Sequence, residues 1–174
     1  MFSRNLICTV FLLHGRGGSP ESPKMKALRS ECQALGFPVL VPDFTAVEEP
    51  EKRVAMLQPL LSSVEGPVVL AGSSMGGYVA VRASQSYDVA GLFLISPALY
   101  LPHYPACDLT PKAASVVIVH GLHDEVVPYQ NSVAFSKAHA AELHGLAGDH
   151  SLQDVTPAVA RLFRNFLEKL RVLT

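Results

Sequence analysis

The chain has 174 residues, 49% of them hydrophobic and 17% charged, with 12 glycines and 13 prolines spread along its length. A chain of this size buries about 70% of its unfolded surface, enough for one domain with a core that needs neither disulfides nor metal. Fourteen basic against fifteen acidic residues give a net charge of -1, which excludes an electrostatic footprint for nucleic acid, and no apolar run approaches the ~20 residues that span a bilayer.

In chain order, the first apolar run is Leu6 to Leu13. With Arg4 ahead of it, the run imitates a signal peptide. No small-x-small cleavage site follows, and the run feeds into His14-Gly15-Arg16-Gly17-Gly18, so a strand entering a glycine turn is the better reading. Ser22 as N-cap and Pro23 at the first helical position open a helix whose Met25, Leu28, Cys32 and Leu35 share a face, and Gly36 ends it. Pro38 to Val41 reads as a second strand. From Pro50 to Val64 the spacing of Val54, Leu57 and Leu61 is helical, but Pro59 is expected to kink or split the segment.

Val68 to Ala71 reads as the third strand, followed by Gly72-Ser73-Ser74-Met75-Gly76-Gly77 and a helix from Tyr78 to Ala83. Leu92 to Ile95 and Val116 to Val119 are the fourth and fifth strands. In Ala141 to Leu146, Glu142 and His144 alternate with apolar residues, as on an edge strand. Thr156 is the expected cap of the last helix and Pro157 its first residue, with Val159, Leu162, Phe163, Phe166, Leu167 and Leu170 in one stripe.

Short continuous runs of Val, Ile and Leu fit buried parallel strands. Their alternation with helices predicts a three-layer α/β/α sandwich around a mainly parallel sheet of about six strands. Ligands of such sheets meet the carboxyl ends of the strands. Cys8, Cys32 and Cys107 are far apart, odd in number and without a C-x-x-C pair. They read as buried reduced thiols, which favours a reducing compartment and so the cytoplasm.

The chemistry follows the strands. Ser74 is the centre of a G-x-S-x-G pattern with a strand before it and a helix after it, the context a strained nucleophile turn needs. Ser73 lacks the flanking glycines. The competing reading is a glycine-rich helix N-terminus that binds phosphate. A serine hydroxyl is a weak nucleophile until a base takes its proton, and the base needs an orienting group. Asp124 lies after the fifth strand, in His120-Gly121-Leu122-His123-Asp124, and His150 follows the sixth. The order Ser74, Asp124, His150 matches the triad of one fold.

With these motifs the sequence resembles the α/β-hydrolase superfamily, and within it the small, lidless, bacterial esterase-like members. The likeness runs from Leu6 to Leu170 and rests on the glycine turn from His14 to Gly18, the elbow at Ser74, the G-x-x-D-x-x-V-P pattern from Gly121 to Pro128, and Gly148-x-His150. The resemblance implies an oxyanion hole built from the backbone N–H groups of Arg16 and Met75. It departs from larger relatives in lacking antiparallel strands before the glycine loop and in leaving only 19 residues between Ile95 and Ser115, where a cap is inserted in those relatives.

These residues predict a serine hydrolase of short-chain carboxylic esters or thioesters, a small-molecule substrate, and no cofactor or metal. Serine at the elbow argues against dehalogenase or epoxide hydrolase chemistry, which uses aspartate, and against the dienelactone type, which uses cysteine. Leu99, Tyr100, Tyr104, Leu122 and Val127 are the expected substrate contacts. A non-catalytic binding protein that keeps the fold is the alternative. Several neighbours have simpler readings: His14 is structural, His123 solvated, Asp43 a turn or cap residue, and Asp149 a weaker competitor to Asp124. The Arg16 side chain is either solvated or pairs with an anionic part of the substrate.

Overall fold

The structure, a computed structural model, describes residues 7–105 and 108–173. Six strands, β1 (Thr9–Leu13), β2 (Val39–Leu40), β3 (Val68–Ser73), β4 (Gly91–Ile95), β5 (Val116–Gly121) and β6 (Glu142–Leu146), alternate with five helices, α1 (Pro23–Leu35), α2 (Pro50–Ser62), α3 (Met75–Ser84), α4 (Tyr129–His139) and α5 (Thr156–Leu173). The sheet is parallel throughout, in the order β2-β1-β3-β4-β5-β6. Every residue of β1, β3 and β4 is buried, which explains why their sequences run apolar without alternation.

Successive strand residues feed opposite layers. Phe11 and Leu13 pack with Val54, Leu57 and Leu61 of α2, Tyr78 of α3 and Phe135 of α4. Val10 and Leu12 pack with Met25, Leu28 and Cys32 of α1 and with Phe163 and Phe166 of α5. From β1 the chain goes outward to β2 and returns to place β3 on the other side of β1. This reversal opens a crevice between the carboxyl ends of β1 and β3, the ligand position in open α/β sheets.

Several local features differ from the sequence expectations. Helix α2 runs unbroken through Pro59. Both Pro59 and Ala55, whose carbonyl loses its donor, are exposed, so water can satisfy the orphaned oxygen. Ser22 occupies the N-cap of α1 without a side-chain cap bond, and Gly36 closes the helix in the left-handed region. Thr156 is the first residue of α5, and its hydroxyl donates to the carbonyls of Leu152 and Gln153 instead of capping. Helix α4 is not anticipated by periodicity, because only Ser132 and Phe135 on it are buried.

Arg4, Leu6 and Cys107 lie outside the described residues. Cys8 and Cys32 are free and buried, and burial pushes the Cys32 thiol up to about 12. Among the described residues the β4–β5 connection contains no helix, and no helix is long and apolar enough to cross a membrane.

Candidate active site

The nucleophile candidate sits at the switch point. Ser74 links β3 directly to α3 with φ 53 and ψ -116, a strained combination for a residue with a side chain. The surroundings hold it there. Its N–H donates to the Ile95 carbonyl at 2.9 Å, and its carbonyl accepts from the N–H groups of Gly77, Tyr78 and Ala98 at 2.9, 3.2 and 3.0 Å. The turn is tight enough to need glycine on both sides. A Cβ on Gly72 would stand 2.2 Å from the Gly76 oxygen, and one on Gly76 would stand 2.0 Å from the Leu13 oxygen.

The loop after β6 brings His150 to this serine, with Nε2 2.9 Å from Ser74 Oγ. Its Nδ1 lies 2.7 Å from Oδ2 of Asp124 on the loop after β5. The Asp124 side chain is fully buried. Its Oδ1 accepts from the N–H groups of Val126 and Val127, both at 2.8 Å, and Oδ2 accepts a second imidazole, His120 Nε2, at 2.9 Å. An ionised carboxylate only accepts, so Nδ1 of His150 carries its proton there and Nε2 is left to accept from the serine hydroxyl.

His120 is the member of this network that motif reading did not single out. It is buried at the end of β5, and its Nδ1 lies 2.7 Å from Ser132 Oγ on α4. Burial pushes its pKa down, so it serves as a neutral donor. The i,i+4 spacing from Asp124 was the available signal, but a strand followed by a turn gives that spacing no fixed geometry. Asp149 is engaged locally, accepting from Ser151 Oγ and the Leu152 N–H. Asp43 closes a turn on Thr45, and His123 is exposed.

The glycine turn is anchored from below. The Gly15 carbonyl accepts from Gly18 N–H at 3.2 Å, from His14 Nδ1 at 2.9 Å and from Arg53 Nη1 at 3.3 Å. Arg53 is 1% exposed and also donates to the carbonyls of His14 and Val47, at 2.9 and 2.6 Å. A peptide unit is planar and trans. Fixing the Gly15 carbonyl therefore fixes the N–H of Arg16, which points the opposite way. His14 Nε2 accepts from the Phe44 N–H at 3.0 Å, so the ring is a neutral strut whose pKa burial lowers. Met75 supplies a first-turn N–H of α3, without an acceptor inside the helix.

A cavity of about 390 Å³ opens over Ser74 and His150, walled by the glycine turn, by Ser22 and the first residues of α1, and by Ser151, Gln153 and Thr156. The expected substrate contacts do not line it. Leu99 and Val127 are core residues packed under α3 and α4, with Tyr100 and Tyr104 partly buried against the same layer, and Leu122 is exposed. Residues 98–101, Tyr104, Leu109 and Ala113 pack against the core, and the cavity is walled by the glycine turn, the start of α1 and Ser151, Gln153 and Thr156. The Arg16 side chain is exposed and paired with Glu48 at 2.9 Å.

Residues 9–112 match the uncharacterised protein family UPF0227. A candidate hydrolase of the alpha/beta superfamily from Xanthomonas campestris pv. campestris is 31% identical, with a TM-score of 0.86 over 93% of this chain and 99% of that one. The chain belongs to the alpha/beta-hydrolase superfamily and to UPF0227. Within the superfamily, Est1E from Butyrivibrio proteoclasticus is 20% identical with a TM-score of 0.80, covering 97% of this chain and 90% of its own. An alpha-beta serine hydrolase homologue from Coxiella burnetii is 21% identical with a TM-score of 0.77, covering 93% and 87%. At those identities the likeness concerns the fold alone. No curated protein matches the sequence.

Proposed function

We propose that this protein hydrolyses short-chain carboxylic esters or thioesters through an acyl-enzyme on Ser74. The observation that carries the reading is the continuous hydrogen-bonded series from Asp124 to His150 at 2.7 Å and from His150 to Ser74 at 2.9 Å, opening onto a cavity. Ser74 Oγ attacks the acyl carbon while its proton passes to His150 Nε2. Asp124 holds the ring tautomer and stabilises the imidazolium. The tetrahedral oxyanion is held by the N–H groups of Arg16 and Met75, pre-aimed dipoles that need no reorganisation; one such donor is worth about 3 kcal/mol. Collapse breaks the bond to the alkoxide or thiolate, which leaves with the proton from Nε2. Water then loses a proton to Nε2, attacks the acyl-enzyme, and Ser74 departs reprotonated with release of the acid.

The test is covalent labelling with a fluorophosphonate, read as an intact-mass increase. The wild-type protein is expected to take one label and Ser74→Ala none. An unlabelled wild type, or an ester hydrolysis rate in Ser74→Ala equal to wild type, would overturn the mechanism.

A further inference from the structure

Two cationic side chains, Arg16 and Lys24, line the cavity over Ser74, and among the described residues no carboxylate does, although the whole chain carries a net charge of -1. Arg16 is already matched by Glu48. Lys24 is not matched in this way. It is the second residue of α1 and partly buried, and among the described residues its ammonium has one close partner, the neutral hydroxyl of Ser73 at 3.1 Å. An ammonium has three donors, so two remain for the cavity. Asp124 and Asp149 act on Lys24 through space, but both are committed, Asp124 to His150, His120 and two backbone N–H groups, and Asp149 to Ser151 and Leu152.

Bringing an ammonium out of water without an anionic partner is costly. Here burial pushes Lys24 down to about 8, which leaves it roughly nine-tenths protonated at pH 7. Asp124 and Asp149 offset part of that cost from a distance, whereas the first turn of α1 adds to it, since its N–H groups have no side-chain cap and no acidic residue lies within that turn. A locally unfavourable charge beside the reactive serine is a feature of sites completed by ligand.

We propose that the ester cleaved at Ser74 carries a carboxylate, and that Lys24 is the residue that receives it. This rests on the hydrolase reading above. The carboxylate accepts the two remaining ammonium donors, whereas a neutral ester leaves them to water. Lys24 is thus a specificity residue and takes no part in the bond-making steps.

The test compares kcat/KM, followed by proton release, in two matched pairs: monoethyl glutarate against ethyl pentanoate, with the charge on the acyl side, and 4-acetoxybenzoate against 4-acetoxybenzamide, with the charge on the leaving group. Wild type is expected to favour the carboxylate member of at least one pair by tenfold or more. That preference should vanish in Lys24→Gln, persist in part in Lys24→Arg, and fade as pH rises through about 8. The pH arm needs no variant, so a misfolded Lys24→Gln does not spare the proposal. No preference in either pair, or a preference that survives in Lys24→Gln, overturns it. If fluorophosphonate labels Ser74 and the preference is missing, only the role of Lys24 fails; if the wild type takes no label, the hydrolase reading fails with it.

Discussion

Ser74 holds a backbone conformation that only glycine adopts freely, and such positions cost of order 1–3 kcal/mol. Ser74→Gly should therefore abolish fluorophosphonate labelling while raising the urea midpoint, and Ser74→Ala should abolish labelling with little change in stability. A lower midpoint in Ser74→Gly would show that the turn is not strained. At Asp124 the second imidazole matters. His120 satisfies a carboxylate lone pair that would otherwise lie buried and bare, and fixes the plane in which Oδ2 meets His150. His120→Ala is expected to lower kcat about 10- to 100-fold with a small change in KM, and to cost about 1–3 kcal/mol of stability. A kcat equal to wild type in the folded variant would reduce His120 to a core residue. Ser74, Asp124 and His150 were legible in the sequence because each follows a strand inside a short motif. His120 was not, because its partners lie within one strand-turn-helix unit whose spacing fixes no geometry; Arg53 and Lys24 were not, because the His14 and Gly15 carbonyls are 39 and 38 residues from Arg53, and Ser73 is 49 residues from Lys24.

The elements meet most closely where α3 crosses the end of β1. Gly76→Ala would push a Cβ into the Leu13 carbonyl, 2.0 Å away, and neither backbone can yield without moving the glycine turn. A loss of 3 kcal/mol or more is expected in urea unfolding, together with loss of labelling; retention of both would mean that the elbow is looser than this contact implies. Helix α1 carries a different tension. Lys24 has a folded-state pKa below its ordinary value, so between about 8 and its unfolded value the unfolded chain binds more protons and stability rises with pH. Lys24→Met should therefore be more stable than wild type at pH 7, on the order of 1–3 kcal/mol, and this advantage should shrink by pH 10. A constant difference across that range would show that the ammonium is not desolvated. The central strands were readable because burial on both faces leaves an unmistakable apolar run. The weak elements were harder: β2 retains two paired residues, and α4 buries too little to show a period.

At the scale of the whole molecule, the sheet reversal at β1 creates the crevice, the glycine turn and α1 wall it, and the described apolar residues of the β4–β5 connection, Ala98 to Leu101, Tyr104, Leu109 and Ala113, pack on the core instead of covering it. For the proposed ester hydrolysis, that arrangement bears on the acyl length. A long chain gains about 0.8 kcal/mol for each methylene removed from water, but only while an apolar wall is there to remove it. Apart from Met25 and Pro23, the side chains around the 390 Å³ cavity are polar or charged, and the rest of its lining is glycine. Leu99 and Val127, the apolar residues best placed in the sequence to form a channel, are consumed by the core. Methylenes beyond the first few therefore stay wet. Across neutral p-nitrophenyl esters, kcat/KM is expected to peak at about two to six acyl carbons and to show no jump above the substrate's critical micelle concentration. A steady rise through twelve and sixteen carbons would require a deep apolar channel that these walls do not form.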